Sequence, residues 1–205
     1  MKKFKLTSEF IVDISGVKLF RIKALIEFGN VKAGDLGGYI EKEENLSHMG
    51  DAWVSDDARI SGNAQVFGNA QVFGNAQVFG DAWVFGNARV FGDAWVFGNA
   101  RVSGNAQVFG NARVFGNARV SGDAQVFGDA RVSGDKDYAY AHGFGSCNRT
   151  TTFFRLKDGD VGVRCGCFYG TLAQFRDKVC ETHGETKKAQ EYLMLADLME
   201  IRFKN

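Results

Sequence analysis

The sequence predicts a mainly β protein whose centre is a parallel β-helix with a cap at each end. Three observations predict it. From Gly50 to Ser133 the chain runs as fourteen consecutive hexads of the pattern G-[N/D]-A-[Q/R/W]-V-[F/S], with no insertion. Within them the third place is Ala in every hexad, from Ala52 to Ala130, and the fifth is Val in all but one, where it is Ile60. Finally, the 205 residues include 26 Gly and no Pro, where ordinary usage of roughly 5% would supply about ten Pro.

Each place of the hexad has a physical reading. In Ala-x-Val the alternation puts Ala and Val on one side and x on the other. The small and branched apolar residues are the inside, and Gln, Arg or Trp the outside. The F/S-G-N/D that follows is a corner, because Gly takes positive φ without steric cost and Asn or Asp is the next most tolerant. A strand and a corner every six residues are too short for a meander. They suit a solenoid of short parallel strands stacked at about 4.8 Å. Each coil needs the backbone N–H groups of its neighbour, which accounts for the absence of Pro from the repeat.

These residues resemble the hexapeptide-repeat family, the left-handed parallel β-helix in which three hexads close one triangular coil of eighteen residues. Val54, Ile60 and Val66 match its inward aliphatic position, and Ala52, Ala58 and Ala64 its small inward position. The left hand follows from the resemblance alone. Residues 36–145 are expected to form the β-helix, with strict repeats over 50–133, Ile40 and Leu46 opening the path, and Asp135 to Gly145 continuing it irregularly.

The ends read as caps. Residues 1–35 are an N-terminal β cap, with extended stretches at Phe4-Lys5-Leu6 and Phe10-Ile11-Val12, a break at Ser15-Gly16, and Val17 to Phe28 beyond. Residues 146–205 are a C-terminal cap of one hairpin and two helices. Lys157-Asp158-Gly159-Asp160 turns the hairpin, and Thr171 with Gln174 forms a capping box. Leu172, Phe175 and Val179 stripe the first helix, Gly184 ends it, and a last helix runs from about Lys187 to Ile201. The flanks Gly34-Asp35-Leu36-Gly37-Gly38-Tyr39-Ile40-Glu41, Thr152-Phe153-Phe154-Arg155 and Cys165-Gly166-Cys167-Phe168 look like those of a largely uncharacterised group of phage- and prophage-encoded hexapeptide-repeat proteins. That resemblance implies a phage context and little about activity.

The wider superfamily includes acyltransferases, which use a catalytic His, and γ-class carbonic anhydrases, which need three His on adjacent coils. The repeat contains no His. His48, His142 and His183 all lie outside it. An acyltransferase-like site would have to use His142 across a subunit interface, so the expectation is a non-enzymatic protein. Cys165, Cys167, Cys180 and His183 are candidate zinc ligands, with His142 and Cys147 as further possibilities. The alternative is that the Cys are small buried hydrophobes and His183 sits at a helix C-terminus. No other cofactor is expected.

Function is then expected on the outward faces. The corner columns of the eighteen-residue coil hold Phe73, Phe91, Phe109 and Phe127, then Phe79, Phe97 and Phe115, then Phe67 and Phe85. Phe73, Phe91, Phe109, Phe79, Phe97 and Phe115 are the candidate interface between copies, with self-stacked ladders as the alternative. Face one reads Trp53, Gln71, Arg89, Gln107, Gln125. Face two carries Trp95 above Arg113 and Arg131, and face three Trp83 above Arg101 and Arg119. Those six residues could stack a base and pair a phosphate, so a nucleotide-type ligand taken from host signalling is a further reading. The alternative is a solvated face whose Arg pair with corner Asp.

Six Arg and seven Asp make the repeat one charge negative, so it is no basic rod and carries no strong nucleic-acid signal. A flat rank of Thr, which an ice-binding face would want, is absent from the repeat. No apolar run reaches the ~20 residues of a membrane span, no signal-peptide pattern follows the basic start, and the Cys are few. The expectation is a cytoplasmic homo-oligomer, most simply a trimer, with an unknown protein or a small anionic ligand as partner.

Overall fold

In the computed structural model, which describes residues 2–146 and 149–204, every hexad contributes one two-residue strand. There are fourteen, β4 to β17, running Trp53–Val54, Arg59–Ile60 and so on every six residues to Arg131–Val132. They pair in parallel with the strand eighteen residues away, Trp53 with Gln71 and Val54 with Val72 for example. The result is three sheets around one core, ordered β16-β13-β10-β7-β4, β15-β12-β9-β6 and β5-β8-β11-β14-β17. Every Ala and Val of the repeat is at most 1% exposed. A buried Val contributes on the order of 1.5 kcal/mol or more, and each coil supplies three.

Corner geometry explains the Gly. The corner Gly have φ between 62° and 72°. A Cβ on Gly86 would lie 3.1 Å from the N and 3.2 Å from the O of Gly104 in the next coil. Where Asp56 replaces Gly, it keeps φ at 56°, and its carboxylate accepts the N–H of Gly74 at 2.9 Å. Asp tolerates this region because its short side chain bonds locally.

Three strands lead in: β1 (Phe4–Val12), β2 (Lys18–Ala24) and β3 (Leu36–Ile40). The β1–β2 hairpin is antiparallel, and Asp13 closes it by accepting from the backbone of Ser15 and Val17 at 2.9 Å each. Strand β3 pairs antiparallel with β2 and parallel with β5, matching Ile40 to Ile60. Leu46 bridges Val66. Ile40 and Leu46 therefore do open the coil path. Their partners lie twenty residues on, where later pairs are eighteen apart, because two extra residues swell the corner around His48 and Met49.

An end coil leaves backbone groups without a neighbour. At the start, the buried Lys3 ammonium donates to the carbonyls of Gly50 (3.1 Å) and Ala52 (2.7 Å). The buried Asn45 amide donates to those of Gly62 (3.1 Å) and Ala64 (2.8 Å). Burial pulls the Lys3 pKa down to about 8, with the charge of Asp51 opposing. At the finish, the N–H groups of Arg119, Gln125 and Ser133 are accepted by Asp135, Thr152 and Asp137 at 3.1, 2.9 and 2.8 Å.

The parallel ladder ends at Val132, short of residue 145 and of the irregular continuation expected over Asp135 to Gly145. Tyr138 takes the inward place eighteen residues after Val120 and joins the main core. Its strand β18 (Tyr138–His142), however, pairs antiparallel with β19 (Thr150–Arg155). The C-terminal sheet continues through β20 (Val161–Cys165) and β21 (Phe168–Thr171). Gly159 turns β19 into β20 with φ 93°. Strand β21 is a fourth strand that the hairpin reading missed. Helix α1 (Leu172–His183) starts on the Thr171–Gln174 capping box and stops at Gly184, and α2 (Lys187–Phe203) runs two residues beyond the expected end. Among the described residues no helix is long and apolar enough to cross a membrane.

Candidate binding faces

The x residues of each face stand in vertical register. On face three Gln65, Trp83, Arg101 and Arg119 are successive neighbours, and on face two Gln77, Trp95, Arg113 and Arg131. The structure thus brings together the residues that the columns group. It also changes what they offer. The Arg101 guanidinium lies 4.7 Å over the Trp83 ring and that of Arg113 lies 4.5 Å over Trp95. Phe67 and Phe79 meet the same indoles edge-on at 6.0 and 6.1 Å. One broad face of each Trp is already used by a cation, an arrangement worth about 0.5–1 kcal/mol at an exposed site. A base could stack there only by displacing the Arg.

The pairing of repeat Arg with corner Asp does not occur. Among the described residues, none of the six repeat Arg makes an ion pair. The corner Asp are engaged otherwise. Asn63, Asn75, Asn105 and Asn111 donate side-chain amides to Asp81, Asp93, Asp123 and Asp129 of the next coil at 2.9–3.4 Å. Asp129 is also bound by Lys157 at 3.0 Å, and that bond holds its carboxyl below the usual carboxylate range. Asn69, Asn87 and Asn105 continue the pattern as an amide ladder. Sequence reasoning treated the second hexad place as a turn residue only. Its eighteen-residue recurrence was the signal that could have found the ladder.

The consequence is that Arg101 abuts Arg119, and Arg113 abuts Arg131, with no acid between them. Like charges directly opposite in a sheet repel. Arg131 eases this by donating to the carbonyls of Asn111 and Ala130; Arg119 has no side-chain hydrogen bond among the described residues.

The Phe columns stack face to face. Phe73–Phe91, Phe91–Phe109, Phe79–Phe97 and Phe67–Phe85 lie 4.8–4.9 Å apart with interplanar angles of 2–6°. Phe97–Phe115 follows at 5.2 Å. All these rings are half-buried. They shield each other and still present one edge outward, so each corner carries a straight apolar ridge.

His142 is exposed on β18, with Nδ1 3.0 Å from the Thr150 hydroxyl. Cys165, Cys167 and His183 line one cleft of about 230 Å³ beside Tyr192, and Cys180 is not part of its lining. Cys165 Sγ instead accepts from Thr151 at 3.2 Å and lies 3.8 Å from the Tyr192 hydroxyl. No group of three or more His, Cys, Asp or Glu close enough to hold a metal occurs among the described residues. Cys147 lies outside the described residues.

Two stretches of the repeat, residues 58–72 and 106–122, match the family model described as YdcK Beta solenoid repeat. No curated protein matches the chain. With fourteen strands on three ladders and that match within them, the chain is a β-solenoid repeat protein, similar over those stretches to the YdcK Beta solenoid repeat.

Proposed function

We propose that this is a non-enzymatic, phage-type β-helix scaffold that works by binding, and that it does so in the cytoplasm as a homo-oligomer, a trimer above other states. The observation that carries the proposal is the set of corner ridges. Phe73, Phe91 and Phe109 stack in a line along one corner, with Phe127 at its end tilted by 32° from Phe109 and edge-on to Tyr169. Phe79, Phe97 and Phe115 mark a second corner, and Phe67 and Phe85 the third. A rigid coil holds the ridges at fixed separation, which suits packing against the same ridges of another copy. The rings are half-buried in their stacks, and the edges they leave outward form apolar lines that a second copy can cover.

A second reading rests on a separate observation, the two Arg pairs with no acidic partner. They favour a small anion on face two or three, held by Arg101 with Arg119 or by Arg113 with Arg131 through charge-assisted bonds. With an Arg laid on one face of each Trp, that ligand would be recognised by its charge and not by a base stacked in the Arg's place.

Light scattering of the purified protein at micromolar concentration tests the first reading. The expected mass is three times that of the chain. Replacing Phe91 and Phe109 together with Ser, the residue that other hexads carry at this place, is expected to give monomers with the coil intact. A monomeric parent protein overturns the oligomer, and acetyl-CoA turnover lost in His142→Ala overturns the non-enzymatic assignment.

A further inference from the structure

Where the N-terminal cap meets face one, a cleft of about 600 Å³ opens, and it shares only Phe73 with the surfaces proposed above. Its back wall is fixed. Trp53 is buried, with Phe28 packed against it at 5.4 Å and 69°. The ring crosses Gly37 so closely that a Cβ there would sit 2.7 Å from it. The Gly29–Val31 turn overhangs from one side.

One aromatic face in this cleft is free of other rings. Phe73 stacks on Phe91 at 4.8 Å, but the coil before it carries Ser55 at the same corner. The ladder therefore begins here with a ring face that has no ring upon it, and Phe73 and Ser55 both line the cleft. Around that face stand Asn30, Asp51, Gln71 and Arg89. None of these four side chains makes a hydrogen bond among the described residues.

The chemistry narrows the ligand. One acid and one base leave the cleft near neutral, which does not suit a polyanion. The backbone of face one is consumed by the coils, as in Trp53 N–H to Ala70 at 3.0 Å and Ser55 N–H to Val72 at 2.9 Å. Strand β4 ends its sheet, but Lys3 takes the outer carbonyl of Ala52 at 2.7 Å and Gly37 packs against that of Val54, so the edge is covered against a peptide strand. Amides that donate and accept, a carboxylate that accepts and a guanidinium that donates can together bind hydroxyl groups in either sense. An apolar ring face beside them suits the C–H face of a pyranose. Gln71, Arg89 and Gln107 then recur at coil steps of about 4.8 Å, which lets an extended chain follow the groove.

We propose that this cleft binds a neutral sugar chain, with one ring on Phe73 and its hydroxyls on Gln71, Arg89 and Asp51. The proposal rests on the reading of the chain as a binding scaffold and names a ligand class for it.

The test is calorimetric titration of the full chain with cellohexaose, maltohexaose and mannohexaose, and with a heparin hexasaccharide as the anionic comparison. Saturable binding of at least one neutral hexasaccharide is expected. Gln71→Ala is expected to weaken it about tenfold, the loss of roughly one hydrogen bond to a bound ligand, and Lys188→Gln on the exposed side of α2 to leave it unchanged. Gln71 packs into no core, so this variant folds even if Phe73→Ser does not; thermal melts check both. Binding by none of the three neutral sugars, binding of heparin alone, or binding that survives Gln71→Ala overturns the proposal. Light scattering on the same samples separates it from the scaffold reading: a normal assembly without sugar binding fails this cleft only, and a monomer that binds sugar fails the oligomer only.

Discussion

Lys3 and Asn45 do with side chains what a preceding coil would do with its backbone, and each reaches two carbonyls. The same corner holds His48. The Lys3 N–H donates to His48 Nδ1 at 3.1 Å, so in the neutral ring the proton is on Nε2. That atom is buried without a hydrogen-bond partner, 4.0 Å from Glu43. Burial lowers the His48 pKa from its usual 6.5; Glu43 opposes the shift, and Lys2, Lys3 and the terminal amine add to it. A second proton would have to go on Nδ1, facing the Lys3 N–H. A folded pKa below the unfolded one means that the unfolded chain binds more protons as pH falls. The stability from neutral His48 is therefore complete above the unfolded value and is lost as pH drops below it. Thermal melts between about pH 7.5 and about pH 5 should show a falling midpoint. His48→Asn, which keeps an acceptor for Lys3 and cannot titrate, should flatten part of that fall; an identical slope would refute the assignment.

At the level of the corner, one conformation repeats along the whole rod. Gly86 needs φ 70° and has the next coil's backbone 3.1 Å from where a Cβ would stand. Gly86→Ala should cost about 1–3 kcal/mol by denaturant melt. Gly134→Ala, with ordinary φ and nothing within 4 Å of the added carbon, should change stability by less than about 0.5 kcal/mol. Equal effects at the two positions would show that φ is not what the corner demands. The corner was legible in the sequence because its cause is local: six residues state the turn, the inward pair and the outward residue. The Thr171–Gln174 box and the Asp158-Gly159 turn were legible for the same reason. The stacking of Arg101 on Trp83 was half legible. Their register follows from the coil length, but the rotamer that lays one on the other is a packing outcome. The burial of Lys3, strand β21 and the cleft under Gly29–Val31 had no local signal, because each depends on segments far apart in the chain.

For the molecule as a whole, the caps decide whether the rod stays finite. Thr152 and Phe154 close the last coil, one by accepting the Gln125 N–H and the other by covering the core. At the opposite end β1 is the outer strand, and a break in its register between Leu6 and Phe10 interrupts its regularity. A chain ended after Asp137 would leave the final strands and the core open, and such edges template association. It should form large, growing particles by light scattering and elongated ones by electron microscopy; a shortened chain that matches the size of the full one would refute this. The corner amides add a direction to the rod. In the longest run each Asn passes a hydrogen bond to the next coil, and Asp, which only accepts, closes it, as Asn69, Asn87 and Asn105 lead to Asp123. Such a rod can be lengthened without being redesigned. Three more hexads spliced into its middle by gene duplication would find donors below and acceptors above already waiting, so reach becomes a quantity that evolution can set in steps of about 4.8 Å, with both ends left as they are.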